Sequence, residues 1–281
     1  NFWQNIPSPH QSACLRALAA QGHTVHLVVD QDELPARRAM GWGRPDFGET
    51  RLIVAPDSAA ITRLLDETAP HGAVNIISGL RSARVAAEAL AGCARRGARA
   101  GLLCEPPDPR GLSGLLRRGL YAWEALRWRG AVDFVLAMGQ TGVDWYRASG
   151  YPAATVFHFG YAVETPDAPP LRQNDVPSLV FVGSLIPLKG VDLLLRALAG
   201  LTDTAWTLHL VGDGPARAAL AELAQRCGLA DRVQFHGLRP MPQVMPHIAA
   251  ADLLVLPSRK DGWGAVVNEA LGCGVPVVCS D

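Results

Sequence analysis

Residues 178–200, SLVFVGSLIPLKGVDLLLRALAG, contain the pattern that decides the fold. A short apolar run over residues 178–182 leads through Gly183 into a turn, and a stretch with helical spacing follows over residues 191–200. Similar apolar runs and amphipathic stretches alternate along the whole chain. The runs are continuously apolar, which is typical of parallel strands that are covered on both faces. The sequence therefore predicts an α/β protein made of doubly wound parallel sheets.

The predicted strands share this unbroken apolar character and are separated by amphipathic stretches. They cover residues 25–29, 51–55, 73–77, 99–104, 132–137, 155–159, 178–182, 206–211, 232–236, 252–256 and 275–279. The clearest helices are predicted over residues 11–21, 83–96, 191–200 and 215–227. This alternation of strand and helix favours two Rossmann-like units.

A proline-rich segment, residues 164–177, interrupts the alternation with four prolines and no periodicity. We predict a linker at residues 166–177, an N-terminal Rossmann-like domain over residues 1–165 and a C-terminal one over residues 178–281. The two domains are expected to face each other across a cleft. Both termini are expected to be truncated, and the C-terminal domain to be incomplete, because no initiator Met is present and residues 275–281 resemble a strand with its exit turn.

The composition narrows the class of function. The 26 basic side chains balance the 26 acidic ones, so no electrostatic argument favours nucleic-acid binding. No apolar run is long enough to span a bilayer, and no signal peptide is visible. Six cysteines without a CxxC spacing indicate reduced thiols. We expect a cytoplasmic location, with the inner face of the membrane as the alternative.

Two strand-to-helix turns in the C-terminal half have the chemistry of a phosphate site. A helix start directs free backbone N–H groups outward, and these groups bind anions. In the first turn Lys189 adds a positive charge, and it is one of only two lysines among the 26 cations. The alternative is a solvated lysine at a helix start. The predicted phosphate-site residues of the two turns are Gly183, Ser184, Lys189, Gly262 and Gly264.

Glu269 lies among apolar neighbours on the helix that follows the second turn. A helix that is apolar all round is buried, and an ionised carboxylate inside it needs partners. The two hydroxyls of a ribose would satisfy such a carboxylate. The alternative is an ion pair with an arginine such as Arg259.

Several segments of the C-terminal half together resemble glycosyltransferase family 4. They are RVQFHG (232–237), ADLLVLPS (251–258), DGWGAVVNEA (261–270), GVPVV (274–278) and VGDGP (211–215). The resemblance covers residues 178–281 almost continuously. It implies a retaining enzyme of GT-B fold that moves a sugar from a nucleotide-diphosphate sugar, its co-substrate, to the hydroxyl of a sugar or lipid-linked sugar. Such enzymes act in the biosynthesis of polysaccharides, glycolipids or cell-envelope glycans.

The resemblance also implies roles for individual residues. Lys189 corresponds to the family's diphosphate-binding lysine. Asp261 and Glu269 correspond to its two spaced acids, the first near the donor sugar and the second on the ribose. The backbone at Trp263, Gly264 and Ala265 is expected to approach the phosphate and the sugar, and Gly237 and Leu238 to lie near the base.

Two positions depart from the family pattern. Asp261 is one methylene shorter than the usual Glu, and Ser184 stands where many members carry Arg. Unless another cation such as Arg259 substitutes, the affinity for the donor or the turnover is expected to fall. This departure keeps open a catalytically weak, sugar-nucleotide-binding subunit of the same fold. A nucleotide-sugar epimerase is a further alternative.

The N-terminal half resembles the family more loosely. Glu105 follows the strand predicted at 99–104, where ligands bind in open α/β sheets. His10 follows a predicted helix start at which Ser8 is the N-cap and Gln11 its capping-box partner. We expect Glu105 and His10 to contact the acceptor or the donor, and Glu105 to take part in catalysis. The alternatives are a loop acid and a purely structural helix start.

Two further segments have competing interpretations. Residues 110–129 carry five Arg and one Glu among interleaved Leu and Trp residues. This pattern fits a basic helix on an anionic membrane surface, or a long core helix with solvated arginines. Asp30-Gln31-Asp32 has the spacing of a metal-binding DxD motif, but after a Rossmann strand it is expected to be a simple turn. We therefore expect no metal and no cofactor.

Overall fold

A computed structural model describes residues 1–33, 45–163 and 174–280. The described chain divides into two compact units. Unit one comprises residues 1–33 and 45–162, and unit two comprises residues 163 and 174–280. Of the predicted linker, residues 166–173 lie outside the described residues.

Unit one is a parallel sheet of seven strands with helices between them. The strands are β1 (Phe2–Gln4), β2 (His26–Val29), β3 (Arg51–Val54), β4 (Asn75–Ile77), β5 (Ala100–Cys104), β6 (Phe134–Met138) and β7 (Val156–Phe159). Its helices are α1 (Pro9–Ala20), α2 (Ser58–Thr68), α3 (Arg84–Arg96), α4 (Gly111–Trp128) and α5 (Gly139–Ala148). The spatial order of the strands is β3-β2-β1-β4-β5-β6-β7.

Unit two is a smaller parallel sheet of five strands. The strands are β8 (Ser178–Val182), β9 (Thr207–Val211), β10 (Val233–Gly237), β11 (Leu253–Leu256) and β12 (Val277–Cys279). Its helices are α6 (Val191–Leu198), α7 (Arg217–Arg226), α8 (Met241–Ala250) and α9 (Ala265–Gly272). The spatial order of the strands is β10-β9-β8-β11-β12.

The strand order reverses once in each sheet, between β1 and β4 in unit one and between β8 and β11 in unit two. The loops leaving two such strands diverge to opposite faces and open a crevice at their carboxyl ends. The two crevices contain most of the residues for which the sequence predicts a role in binding.

The predicted α/β architecture with parallel sheets is confirmed. Every predicted strand and helix boundary quoted above lies within two residues of the observed one. The inner strands follow the predicted pattern closely because both of their faces are buried. Trp3, Ile77, Phe181 and Leu208 are among the fully buried strand residues. Trp3 also donates its indole N–H to the side chain of Asn75 at 3.0 Å, which satisfies a buried polar group.

The sequence predicts a simple turn at Asp30-Gln31-Asp32 and a capping box at the start of α1. The Asp30 carboxylate accepts hydrogen bonds from the backbone N–H groups of Arg84 and Val85, at 2.6 and 3.2 Å, and so caps the start of α3. The predicted capping box at α1 is wrong, because the Ser8 side chain makes no capping hydrogen bond. Gln11 instead turns inward, is 6% exposed and lines an apolar cavity of about 260 Å³.

The six cysteines are free thiols, as predicted. Cys93 and Cys273 are buried, whereas Cys279 is exposed on β12. Among the described residues, no helix combines the length and the hydrophobicity that crossing a bilayer requires.

Three histidines form a contiguous cluster in unit two. The imidazole nitrogens of His209 and His236 lie 2.9 Å apart, and the ring of His236 contacts that of His247 with centroids 4.6 Å apart. Desolvation by burial, followed by the charge of His247, lowers the pKa of His209. Burial and the same neighbour also lower the pKa of His236.

We expect acid to destabilise this cluster. A histidine with a lowered folded pKa binds fewer protons than its unfolded counterpart. The free energy of unfolding should therefore fall as the pH drops through the unfolded value of 6.5 toward the lower folded value. His209→Asn should make this loss shallower in urea titrations between about pH 7 and pH 5. His23→Asn, an exposed substitution in unit one, is the control for the replacement itself. Equal slopes for the wild type and His209→Asn would contradict the prediction.

Candidate functional site

The first candidate site lies in unit two, where the loops after β8 and β11 pack against each other. A tight 3-10 turn at Pro187–Lys189 ends at Gly190, whose φ of 67° is a left-handed value that favours glycine. A Cβ atom at Gly190 would collide with the carbonyl oxygen of Pro257. The absence of a side chain at this position therefore lets the lysine-bearing loop lie directly on the loop that follows β11.

Lys189 and Asp261 form an ion pair across these two loops, with Nζ and Oδ2 2.5 Å apart. The other carboxylate oxygen of Asp261 accepts a hydrogen bond from the backbone N–H of Gly264 at 3.0 Å. Burial alone would raise the pKa of Asp261, but the hydrogen bond and the charge of Lys189 hold that pKa below its ordinary value. Asp261 thus connects the lysine loop to the start of α9, and its carboxylate is ionised at neutral pH.

Glu269 is buried on the second turn of α9, about 6 Å along the helix axis from Ala265. The residue is 8% exposed, and burial raises the pKa of its carboxyl group. Within the described part of the chain no side chain forms a hydrogen bond or ion pair with this carboxylate. The predicted alternative, an ion pair with Arg259, is therefore wrong.

Arg259 pairs instead with Asp192 on the first turn of α6, through two N–O distances of 2.7 Å. It also donates to the carbonyl oxygen of Pro187 at 2.6 Å. Asp192 in turn accepts hydrogen bonds from backbone N–H groups at the start of α6. An acid of the chain itself therefore already occupies this helix start, and the positive charge of Arg259 is compensated.

The other predicted donor-site residues lie on the same edge of the sheet. Gly183 and Ser184 follow β8, Gly262 and Trp263 lie between Asp261 and α9, and Leu238 follows β10. The ends of β9 and β10 are connected by a hydrogen bond from the N–H of Gly212 to the carbonyl of Gly237 at 2.9 Å. The ends of β8, β10 and β11 thus present all of these residues at the carboxyl edge of one sheet.

The second candidate site is a cavity of about 400 Å³ in unit one, at the carboxyl ends of β1, β4 and β5. Glu105 lines it and accepts a hydrogen bond from the Tyr161 hydroxyl at 2.9 Å. The ring of Tyr161 contacts the imidazole of His10, with centroids 5.6 Å apart. Tyr161 thus contacts both Glu105 and His10, the two site residues predicted in unit one.

An ion pair between an exposed arginine and a half-buried glutamate forms another wall of this cavity. Arg81 lies 3.3 Å from the carboxylate of Glu124, and its guanidinium stacks over the ring of Tyr121 at 4.0 Å. Burial raises the pKa of Glu124, and the charge of Arg81 opposes that rise. Ser78 and Tyr151 add hydroxyl groups to the lining. The cavity therefore offers both hydrogen-bond donors and acceptors, which is the chemistry that a polyhydroxylated ligand requires.

Tyr161, Arg81 and Glu124 were not predicted as site residues. Tyr161 follows β7, Arg81 follows β4, and Glu124 lies on α4, so three separate elements bring them together. Tyr161 and Arg81 each follow a strand and could have been selected by that position. Within the described ranges, no group of three or more His, Cys, Asp or Glu side chains is arranged to hold a metal ion.

The C-terminal part of the chain is similar to known glycosyltransferase sequences. Residues 164–281 match the family described as "Glycosyl transferases group 1". A D-inositol 3-phosphate glycosyltransferase of Thermomonospora curvata is 40% identical over 118 residues, 38% of this chain and 27% of that protein. A GDP-mannose-dependent alpha-(1-6)-phosphatidylinositol monomannoside mannosyltransferase of Mycolicibacterium smegmatis is 36% identical over 149 residues, 45% of this chain and 38% of that protein. The chain thus spans well under two thirds of these relatives' own lengths.

Comparison with solved structures extends over both units. The lipopolysaccharide outer core galactosyltransferase WaaB in its apo form superimposes with a TM-score of 0.67 at 18% identity, over 100% of this chain and 80% of that one. Anabaena Alr3699/HepE in complex with UDP gives 0.69 at 18% identity, over 99% and 79%. At this identity the likeness concerns the fold. The two parallel-sheet units thus have the GT-B fold, and residues 164–281 match the glycosyl transferases group 1 family.

Proposed function

We propose that the chain transfers a sugar from a nucleotide-diphosphate sugar to a hydroxyl acceptor, with retention of configuration at the anomeric carbon. The bond between the anomeric carbon and the diphosphate oxygen breaks, and the nucleoside diphosphate leaves with the electron pair. A bond to the acceptor oxygen forms, and the proton of the acceptor hydroxyl passes to the departing diphosphate. The observation that carries this proposal is the Lys189–Asp261 pair beside the buried Glu269 in unit two.

The leaving diphosphate needs positive charge where its negative charge develops. Lys189 supplies an ammonium that Asp261 holds in place, and the start of α9 supplies backbone N–H groups close by. Glu269 lies further along α9, where its carboxylate can accept hydrogen bonds from a ribose diol and so satisfy its buried charge. The donor's ribose would thereby provide the hydrogen-bond partners that the Glu269 carboxylate lacks among the described side chains.

The names of relatives support a nucleoside diphosphate as the shared part of the donor. One relative is described as GDP-mannose-dependent, and one structural neighbour is in complex with UDP. These two ligands share the ribose and the diphosphate but differ in the base. The recognition that we propose involves Glu269 and Lys189, which would contact only the shared part.

We place the acceptor in the cavity of unit one. Its carboxylates, hydroxyls and guanidinium suit a sugar or another polyol, and the names of two relatives include inositol-containing compounds. Incubating the chain with UDP-glucose or GDP-mannose and a panel of sugar and inositol acceptors, followed by mass spectrometry, tests the proposal. A product heavier than the acceptor by one hexosyl residue supports it. Binding of both substrates without product would contradict it.

Tyr161→Phe should raise the KM for the acceptor found in that screen by about tenfold, which is the usual loss for a hydrogen bond to a charged group. The substitution removes the hydroxyl that donates to Glu105 but keeps the ring beside His10. The KM for the donor, measured in the same variant, should remain within about twofold and serves as the internal control. A change confined to the donor would place the acceptor elsewhere.

One observation favours a second candidate, a subunit that binds the sugar nucleotide but turns it over poorly. Ser184 provides no cation, and the charge of Arg259 is already compensated by Asp192. Nucleotide binding in titration calorimetry together with no release of nucleotide from UDP-glucose or GDP-mannose would favour this candidate. Release of nucleotide at a rate proportional to the concentration of the chain would favour the enzyme.

A further inference from the structure

Helix α4 exposes a continuous apolar face. Large apolar side chains along it are 42% to 84% exposed to solvent, although residues of these types are usually buried. They are Leu112, Leu115, Leu116, Leu120, Trp123 and Leu126. Because successive residues turn by about 100° around a helix, these six lie within a sector about 140° wide along a helix about 27 Å long.

This face points away from the core of unit one. Ala125 of the same helix is fully buried, and Tyr121 and Trp128 pack against the core cluster. These three residues lie on the opposite side of the helix from the exposed leucines. The prediction of a core helix with solvated arginines is therefore wrong, because the leucines and Trp123 are the side chains in solvent.

The charge around this face is positive. Arg127 and Arg129 are exposed on or beside the helix, and no ion pair holds them among the described residues. Arg118 is exposed on the flank nearer the core, where its guanidinium lies over the ring of Trp145 at 5.3 Å. The guanidinium of Arg127 lies over the rings of Trp123 and Trp128, at 5.6 and 5.0 Å. Glu124, the one acid of the segment 110–129, points into unit one and pairs there with Arg81.

From this combination we propose that α4 binds the surface of an anionic lipid bilayer, with the helix axis in the plane of the membrane. The leucines and Trp123 enter the boundary between headgroups and acyl chains, and the arginines contact lipid phosphates. Charge complementarity selects this partner, since an apolar face bordered by arginines and without an exposed acid fits a negatively charged surface. The binding goes beyond sugar transfer and does not depend on it.

The test is co-sedimentation of the chain with large unilamellar vesicles of phosphatidylcholine, with and without phosphatidylglycerol. The wild type should bind the vesicles that contain phosphatidylglycerol, bind pure phosphatidylcholine at least about tenfold more weakly, and be released between about 0.05 and 0.5 M salt. Leu116→Ser with Trp123→Ser should weaken binding about tenfold or more. Because these side chains are exposed, the fold should persist, which circular dichroism checks.

Two further variants separate specific binding from general loss of hydrophobicity. Arg127→Gln with Arg129→Gln leaves the leucines and Trp123 in place and should also weaken binding about tenfold. Leu193→Ser with Leu201→Ser removes comparably exposed leucines from unit two and should change binding by less than about twofold. If Leu116→Ser with Trp123→Ser unfolds the chain, the arginine variant still tests whether α4 binds the vesicles.

Three results would overturn the proposal. The first is no sedimentation of the wild type with phosphatidylglycerol vesicles at low salt. The second is unchanged binding of both α4 variants. The third is a lipid-free dimer in analytical ultracentrifugation, with no vesicle binding, that Leu116→Ser with Trp123→Ser converts to a monomer. The exposed face of α4 would then join two copies of the chain.

Discussion

Replacing Lys189 with alanine is expected to lower turnover by about 10²- to 10³-fold, the usual cost of removing one group that stabilises developing charge in a transition state. The ammonium lies at the loop that meets the start of α9 and is held by Asp261 at 2.5 Å. In the proposed reaction it neutralises the diphosphate as that group departs. The assay measures release of nucleotide from whichever of UDP-glucose and GDP-mannose the unaltered chain uses.

The controls for this prediction separate charge from stability. Lys189→Arg keeps a cation and should retain more turnover than alanine does. Arg196→Ala removes an exposed cation from α6, the next helix along the chain, and should leave turnover within about threefold. Thermal denaturation checks that Lys189→Ala is folded, because the substitution leaves Asp261 without its ammonium. Turnover of Lys189→Ala within threefold of the wild type would refute the assigned role.

Replacing Glu269 with glutamine should weaken nucleoside diphosphate binding by about 10- to 100-fold. Hydrogen bonds to an ionised group contribute about 1.5–3 kcal/mol, and glutamine cannot accept from a ribose diol as strongly as a carboxylate does. Titration calorimetry with UDP and GDP measures the loss. Glu222→Gln, an exposed substitution on α7, is the matched control and should bind as the wild type does.

The same substitution should stabilise the ligand-free protein at neutral pH. Burial raises the folded pKa of Glu269 above its unfolded value, so ionising this carboxyl group costs free energy of folding as the pH rises through and above 4.5. Glutamine removes that cost. The gain in Tm should therefore be present at pH 7 and shrink as the pH approaches 4.5. A carboxylate that served only the fold would show the opposite result, a loss of Tm at pH 7.

The sequence predicts the elements of this fold well because their signals are local. Buried parallel strands such as Ser178–Val182 require unbroken apolar runs, and the helices between them require amphipathic spacing. Lys189, Asp261 and Glu269 could be selected for a related reason. Lys189 and Asp261 lie in the loops after the carboxyl ends of β8 and β11, which is where this architecture places ligands, and Glu269 is an acid among apolar neighbours on the helix that follows the second loop.

Pairings between distant side chains could not be predicted in this way. Arg259 and Asp192 are 67 positions apart, and only the folded chain shows that they bind each other. The Tyr161–Glu105 hydrogen bond joins residues 56 positions apart. The orientation of α4 was ambiguous for another reason. An apolar stripe has the same helical spacing whether it faces the core or the solvent, so the pattern alone could not exclude a core helix.

Unit two is proposed to bind the diphosphate of a sugar nucleotide beside Lys189. The most direct test of this binding is titration calorimetry on the wild type and on Lys189→Ala. UDP and GDP are titrated into each protein in separate experiments, and uridine and guanosine are titrated for comparison. We predict that at least one diphosphate binds the wild type with a Kd of about 1 μM to 1 mM. The matching nucleoside should bind far more weakly, and Lys189→Ala should remove most of that difference. If neither diphosphate binds, or if diphosphate and nucleoside bind equally well, the claim is contradicted.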